Sequence, residues 1–136
     1  MLVIHFISSN PNISDFEILE ENEFFKVRRI EHKMPWPIYP RETVFTQHKI
    51  EEIDEHGNDL VWLVGYSVNH NKAPYKSKEN VRTDVHMSVY KFRQISPNKT
   101  EVSRVAQVDP CGLIPKVVID MKAGNAMATF KRWMTE

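Results

Sequence analysis

The sequence predicts an α+β fold in which an antiparallel sheet of six strands is closed by one long C-terminal helix. Residues 16–109 alternate apolar and polar side chains between short turn sequences, which is typical of antiparallel strands. Helical periodicity occurs only after residue 115. A length of 136 residues, with 41% hydrophobic and 26% charged residues, fits one globular domain.

Six predicted strands follow one another closely enough to form hairpins. They span residues 16–19, 24–34, 43–53, 60–68, 81–95 and 100–108. The strand at 60–68 is apolar on both faces, which favours a position at the centre of the sheet. Alternation in the second strand assigns four side chains to one face: Lys26, Arg28, Ile30 and His32. Alternation in the fifth strand does the same for Thr83, Val85, Met87 and Val89.

A stiff loop and a helix complete the predicted fold. Residues 34–40 contain three prolines, so this segment is expected to form a loop that holds Trp36 and Tyr39 away from the sheet. Residues 109–112 have the composition of a turn, and Pro115 suits the first turn of a helix. One apolar stripe then recurs at helical spacing and is expected to be core: Ile119, Ala123, Met127, Phe130 and Met134.

Composition excludes several classes of protein. Eighteen basic residues balance eighteen acidic residues, so no net charge attracts the chain to nucleic acid. The single cysteine, Cys111, excludes an internal disulfide and fits a reducing compartment. The sequence shows neither a signal peptide nor an apolar run long enough to span a membrane. We therefore expect a soluble, cytoplasmic protein.

The sequence contains no recognisable catalytic arrangement. Its six histidines are scattered, and an HExxH helix, a GxSxG turn and a Gly-rich phosphate loop are absent. Cys111 has no histidine close in sequence that would act as its base. These observations predict a protein that is not an enzyme and that uses no cofactor or metal.

Four segments resemble the motifs of StAR-related lipid-transfer (START) domains. Residues 36–42 (WPIYPRE) resemble the family's W-P-x-x-x-R-D segment, and residues 67–74 (SVNHNKAP) resemble the segment after its next long strand. Residues 81–83 (VRT) resemble its V-R-A strand start, and residues 108–115 (VDPCGLIP) its V-D-P-x-G-W-x-P segment before the final helix. The four occur in the family's order, so the resemblance covers about residues 16–134.

The resemblance implies the helix-grip fold of START and Bet v 1-like proteins, in which a curved antiparallel sheet wraps around a long C-terminal helix. Residues 16–136 would form the START-like domain, and residues 1–15 a divergent or truncated N-terminal segment. Family members have further strands before this point, so the strand at 100–108 is expected to be an open edge. That edge would pair with another copy or with residues 1–7.

The resemblance also implies function: binding of a phospholipid or sterol in a hydrophobic tunnel, transfer between membranes, and transient contact with a membrane surface. The implied lipid-contact residues are Ile30, His32, Trp36, Phe45, Gln47, Leu63, Gly65, Thr83, Val85, Met87, Arg104, Ile119, Ala123, Met127 and Phe130. Trp36 would contact lipid or a bilayer interface, or would fold back onto the core. Arg104 would bind a lipid headgroup, pair with an internal carboxylate, or stay exposed at the edge. Arg41, Glu42 and Arg82 would have structural roles.

The residues argue against one ligand and leave two alternative functions open. Ceramide-carrying members place amide and aromatic polar groups at the positions of Ile30, Gly65 and Arg104, and none of these is retained, which argues against ceramide. A cyclase or hydratase of similar shape would need an acid or base, for which His32 and His86 are the candidates. A START fragment that acts as an interaction module would bind no lipid.

Overall fold

The computed structural model describes residues 11–76 and 80–135, apart from the side chains at 126, 129, 130 and 132–135. The predictions made for residues 1–10 and for the side chains of Phe130 and Met134 lie outside the described residues. The elements are β1 (Ile13–Glu21), β2 (Phe25–His32), β3 (Arg41–Ile53), β4 (Asp59–Ser67), β5 (Val81–Arg82), β6 (Asp84–Ser96), β7 (Lys99–Asp109) and α1 (Lys116–Thr135).

The long strands form one antiparallel sheet in the order β1-β2-β3-β4-β6-β7. This order confirms the predicted antiparallel sheet followed by a C-terminal helix, and it confirms β4 as a central strand. Pro115 directly precedes α1, and its carbonyl oxygen accepts a hydrogen bond from the backbone N–H of Val118 at 2.9 Å. The proline therefore begins the helix, as its position in the sequence predicts.

The predicted strand at 81–95 is wrong in one respect, because Thr83 divides it. Residues 81 and 82 form β5, which pairs with β3 in parallel, and the antiparallel strand β6 begins only at Asp84. The Thr83 backbone N–H donates to the Glu42 carbonyl oxygen at 2.8 Å, and the Thr83 and Thr43 hydroxyl oxygens are 2.5 Å apart. These bonds hold the chain against β3 before it crosses to pair with β4.

A β-bulge in β6 places Met87 on the face opposite to the predicted one. Val85 pairs with Val108 and Ser88 pairs with Ala106, so the residues between them are out of step with the partner strand. Met87 lies opposite Gln107, which points to the other face. Met87 and Val85 therefore lie on opposite faces, although simple alternation assigned both to one.

The sheet has two faces, which we call inner and outer. The inner face carries Arg28, Ile30, Phe45, Leu63, Tyr90 and Arg104, and the outer face carries Val27, Arg29, Glu42, Val44 and Val64. Helix α1 follows a turn held by the inner-face residue Arg41. The Lys122 ammonium on α1 also donates to the Lys33 carbonyl oxygen at 2.9 Å, next to the end of β2.

A cluster of buried apolar side chains lies on the outer face, where the loop after β4 covers the sheet, and Ile30 and Val85 are buried on the inner face. Leu19, Val27, Val44 and Ala73 form the outer-face cluster, and Phe25 and Val68 pack against it. Burial of each large aliphatic side chain contributes about 1.5–3 kcal/mol. This cluster therefore anchors β1, β2 and β3 to the loop that contains Ala73.

The helix stripe is not buried in the way that the sequence predicts. Ile119 is 42% exposed, Met127 is 65% exposed and Ala123 is also exposed. Val118 and Lys122, which are four residues apart on a different side of the helix, are the half-buried positions. The described contacts of α1 are concentrated near the start of β1 and the end of β2, so most of its apolar side chains have no cover from the described sheet.

Candidate functional site

The inner face brings together most of the predicted lipid-contact residues. Pairing of β2, β3 and β4 places six of them on this face: Ile30, His32, Phe45, Gln47, Leu63 and Gly65. Val85 and Arg104 join them from β6 and β7. Thr83 reaches the same side, where its hydroxyl meets that of Thr43. Each of four neighbouring strands places an apolar or aromatic side chain on this face: Ile30, Phe45, Leu63 and Tyr90. Polar side chains lie between them, with Thr43 opposite Ile30 and Arg28 opposite Phe45.

At Gly65, in the centre of the sheet, no side chain projects from the inner face. A Cβ atom at this position would lie 2.7 Å from the Thr46 carbonyl oxygen and 3.4 Å from the Phe45 ring. Any side chain here would displace the backbone of β3. The glycine therefore allows β3 and β4 to approach closely and leaves the inner face open beside Phe45.

Aromatic rings line the inner face towards β7. Tyr90 and Phe92 stack with their centroids 6.0 Å apart, and the Arg104 guanidinium lies 5.2 Å from the centroid of the Tyr90 ring. Burial raises the pKa of Tyr90, and the neighbouring Arg104 charge partly opposes that rise. Arg104 itself is exposed, and no carboxylate among the described residues forms an ion pair with it. It contacts an aromatic ring, not an internal carboxylate.

Sequence reasoning did not select Arg28, a buried charge on the inner face. Arg28 is 5% exposed and lies between Ile18 on β1 and Phe45 on β3. Its Nε atom is buried and has no hydrogen-bond partner among the described residues. Burial lowers the pKa of Arg28, and the more distant Glu21 charge offsets part of this effect. Alternation in β2 assigns Arg28 to the same face as Ile30 and His32. Charged residues are usually exposed, so the pattern alone does not predict that Arg28 is buried.

The remaining predicted contact residues lie away from the inner face. Trp36 is 92% exposed in the loop before β3, and it does not fold back onto the core. Met87 lies on the outer face because of the bulge in β6. The described helix residues Ile119, Ala123 and Met127 are exposed.

The candidate acid and base residues His32 and His86, and the thiol of Cys111, have different environments. Burial lowers the pKa of His32, and the positive charge of Lys122 lowers it further, so His32 is neutral at pH 7. His86 is exposed, with its Nε2 atom 3.9 Å from the Asp84 carboxylate. Burial raises the pKa of Cys111, which keeps it as a thiol. Within residues 11–76 and 80–135, the His, Cys, Asp and Glu side chains nowhere form a group of three that would hold a metal ion.

The Arg41 side chain joins the loop before β3 to the turn before α1. Its guanidinium donates to the carbonyl oxygens of Tyr39 at 2.7 Å, Pro110 at 2.9 Å and Cys111 at 2.9 Å. Gly112 has φ +66°, and a Cβ atom there would come within 3.3 Å of the Arg41 side chain. The same arginine therefore ties the proline loop to the turn before α1, which confirms its predicted structural role.

Glu42 organises an ionic cluster on the outer face, formed by Asp15, Arg29, Glu42 and Arg82. Its carboxylate accepts hydrogen bonds from Arg29 Nε at 2.7 Å and from Arg82 Nε at 2.9 Å. Arg82 also donates to the Ala73 carbonyl oxygen at 2.9 Å. Burial alone raises the pKa of Glu42, but hydrogen bonds from Arg82 and Arg29 outweigh it and hold this pKa below its ordinary value. The predicted structural roles of Glu42 and Arg82 are confirmed.

Two small concavities lie outside the predicted site. One, of about 140 Å³, lies beneath the loop after β4 and is lined by Glu17, Arg29, Glu42, Lys72, Ala73, Pro74, Lys76 and Asn80. The other, of about 270 Å³, lies at the β3–β4 turn and is lined by Asp54, His56, Asn58, Arg93, Gln94 and Ile95. Neither is lined by a predicted lipid-contact residue. Among the described residues, no helix is both long enough and apolar enough to cross a membrane.

Comparisons with known proteins agree with this architecture. The model of the START domain family matches residues 9–136. The chain superposes on human STARD10 with a TM-score of 0.76 and 23% identity, over 97% of this chain and 55% of that one. It superposes on human StAR-related lipid transfer protein 5 with a TM-score of 0.69 and 23% identity, over 89% and 57% of the two chains.

A STAR-related lipid transfer protein fragment from Xanthomonas axonopodis gives a TM-score of 0.60 at 15% identity, over 98% of this chain and 78% of that one. At these identities the likeness establishes the fold alone. The chain spans slightly more than half of the two human structures. No match was found among curated proteins.

Proposed function

The chain belongs to the START domain family, and from that premise we propose that its inner face binds one lipid molecule without chemical conversion. The observation that carries the proposal is the set of apolar and aromatic inner-face side chains on four neighbouring strands, namely Ile30, Phe45, Leu63 and Tyr90. Helix α1 follows the turn held by the inner-face residue Arg41, and the Lys122 charge acts on the inner-face residue His32, while Ile119 and Met127 of the helix are exposed. A lipid between the two would cover both surfaces.

Burial of the lipid supplies the binding energy in this proposal. Each CH₂ group transferred from water to an apolar surface gains about 0.8 kcal/mol, so an acyl chain or sterol ring system binds through area and not through a specific bond. The exposed side chains of α1 would lose solvent contact at the same time. The ligand class is a phospholipid or a sterol, and the departures at Ile30, Gly65 and Arg104 continue to argue against ceramide.

The helix and the proline loop would form the gate. The described polar contacts of the middle of α1 are those of Lys122, with the Lys33 carbonyl oxygen at 2.9 Å and with the Asn12 side chain at 3.4 Å. Movement of this part of the helix would break the two Lys122 contacts. Trp36 projects from the loop where an aromatic ring would enter a membrane interface. This arrangement supports transient membrane contact and lipid transfer by a cytoplasmic protein.

The outermost strand β7 supports a second element of the proposal, association between two copies. In the described sheet, β7 pairs only with β6, and Val105 on it is 58% exposed. An open edge of this length is a template for another strand. Light scattering should detect a dimer that dissociates on dilution, and a monomer at all concentrations would contradict this part of the proposal.

A pair of variants on β4 tests lipid binding at the inner face. Leu63 and Val64 are adjacent, half-buried aliphatic residues that point to the inner and outer faces respectively. Leu63→Gln should reduce uptake of NBD-labelled phosphatidylcholine or NBD-cholesterol from vesicles, whereas Val64→Gln should reduce stability but not uptake per folded molecule. Equal losses of uptake in both variants would contradict the proposed face.

Native mass spectrometry separates lipid binding from the two alternatives. A carrier should retain lipid as a discrete added mass after purification. An interaction module should show the mass of the bare chain in every preparation. An enzyme of similar shape would convert added lipid to a product of different mass. No contact of His32 or His86 favours this alternative.

A further inference from the structure

Arg28 is a buried cation without an anion. It lies on the inner face with 5% of its surface exposed, between the apolar side chains of Ile18 and Phe45. Among the described residues, no carboxylate forms an ion pair with it, and its buried Nε has no hydrogen-bond acceptor. Glu21 is the nearest acidic influence, and its carboxylate contacts Lys26 instead.

Such an arrangement is costly unless another group completes it. A charge removed from water without a partner is destabilising, and the buried Nε–H of Arg28 requires an acceptor that the described residues do not supply. The chain satisfies its other buried arginines: Arg41 donates to three carbonyl oxygens, and Arg82 donates to Glu42 and to a carbonyl oxygen. Arg93 also has a buried Nε without a partner, but its Nη2 pairs with Glu101, whereas Arg28 has no carboxylate partner among the described residues.

We propose that the Arg28 guanidinium binds the anionic oxygens of the lipid, so that the ligand is an amphiphile with a carboxylate or a phosphate. This inference rests on the proposed function, and it names the substrate class of the same face. The planar fork of a guanidinium matches either group through two parallel N–H···O bonds. The flanking Ile18 and Phe45 side chains contact the adjoining apolar part of the ligand. A sterol without an acidic group would leave Arg28 unpaired.

Paired amphiphiles that differ only in charge test this inference. Oleate and oleyl alcohol share one chain, as do oleoyl-lysophosphatidic acid and monoolein, and inorganic phosphate alone tests for a free anion. Titration calorimetry below the micelle concentration should show that the wild-type protein binds each anionic amphiphile roughly tenfold or more tightly than its neutral counterpart, as one charged hydrogen-bonded contact predicts. Arg28→Gln should remove this preference and leave the affinity for oleyl alcohol unchanged.

Arg93→Gln is the matched control. Arg93 also has a buried Nε without a hydrogen-bond partner, but it lies on the outer face and its Nη2 pairs with Glu101 at 3.1 Å. This control should keep the preference for anionic amphiphiles. Arg28→Leu supplies a second variant of the site, and circular dichroism with thermal unfolding confirms that each variant is folded before titration.

The outcomes separate the inference from the function on which it rests. Equal affinity of the wild-type protein for charged and neutral partners, or a preference that survives in Arg28→Gln, overturns the role of Arg28 and leaves lipid binding intact. Binding of inorganic phosphate as tightly as lysophosphatidic acid overturns the assignment to an amphiphile. Failure of every amphiphile to bind overturns the proposed function itself.

Discussion

Arg28 and Arg29 are neighbours in β2, yet their environments are opposite. Arg29 points to the outer face, where its Nε donates to Glu42 at 2.7 Å and its Nη1 to Asp15 at 2.6 Å, with Glu31 at 3.4 Å. Arg28 points to the inner face, where the described chain offers it no acceptor for Nε. The same residue type on the same strand is thus satisfied on one face and unsatisfied on the other.

The pKa values follow this difference. Burial lowers the pKa of both arginines, but the hydrogen bonds that Arg29 donates to Glu42 and Asp15 reverse the effect and raise the pKa of Arg29. The outer face also holds the apolar cluster around Val44, whose side chains are buried without a ligand. We infer from this difference that the outer face stabilises the fold, whereas the inner face binds a ligand that supplies what the chain lacks there.

The largest expected effect comes from removing the centre of the ionic cluster. Glu42→Ala leaves Arg29 and Arg82 without their shared carboxylate in a region where Glu42 is buried. Loss of one partner from a buried network should lower the free energy of unfolding by roughly 3 kcal/mol. Urea unfolding measures this, with the exposed Asp15→Asn as a control that should cost far less. A similar, small loss in both variants would show that Glu42 is not the centre of the cluster.

The two neighbouring arginines provide the sharpest test of the comparison. Arg29→Leu should lower the free energy of unfolding by about 2 kcal/mol, because Glu42 loses a hydrogen-bonded partner. Arg28→Leu should leave the stability of the ligand-free protein unchanged or raise it, because a buried charge without a partner is replaced by an apolar side chain. Thermal unfolding of both variants measures this, and an equal loss of stability would remove the distinction between the faces.

Acid should weaken the outer face in a way that depends on Glu42. Its pKa in the folded protein lies below the ordinary value of 4.5, so its contribution to stability is present above pH 4.5 and is lost as the pH falls through the lowered pKa. Glu42→Gln should therefore show a shallower loss of stability between about pH 4.5 and pH 2 than the wild-type protein. Unfolding measured across this range gives the dependence of stability on pH for both proteins. Parallel curves would show that other carboxylates cause the acid sensitivity.

The smallest expected change in stability is at the gate. Trp36 is 92% exposed, so Trp36→Ala should change the free energy of unfolding by less than about 0.5 kcal/mol. It should nevertheless slow transfer of a fluorescent lipid between vesicles, while ligand already bound in solution stays bound. Tyr39→Ala, an exposed aromatic in the same loop, serves as the matched control. An unchanged transfer rate in Trp36→Ala would exclude this loop as the gate.

The sequence predicts the strands well because alternation and turn residues are local signals. β3 and β4 lie within two residues of their predicted bounds, and the helix begins directly after Pro115. The four START-like segments similarly locate Arg41, Glu42 and Arg82, whose contacts are those of a structural cluster. Local pattern and motif were sufficient for these features.

Other features depend on partners that no local pattern reveals. The bulge in β6 moves Met87 to the outer face without any marker in the sequence. The exposure of Ile119 and Met127 depends on what α1 packs against, which periodicity does not specify. Arg28 was assigned to the correct face, but its lack of an acceptor is visible only once β1 and β3 lie on either side of it.

Photolabelling with a diazirine-bearing phosphatidylcholine tests the division between the faces most directly. After illumination, mass spectrometry locates the labelled residue in each strand, and alternate residues report opposite faces. The account predicts label on inner-face side chains such as Phe45, Leu63 and Tyr90, with the adjacent outer-face residues Val44 and Val64 unlabelled. Label on Val44 and Val64, or label spread equally over both faces, would contradict a lipid site on the inner face.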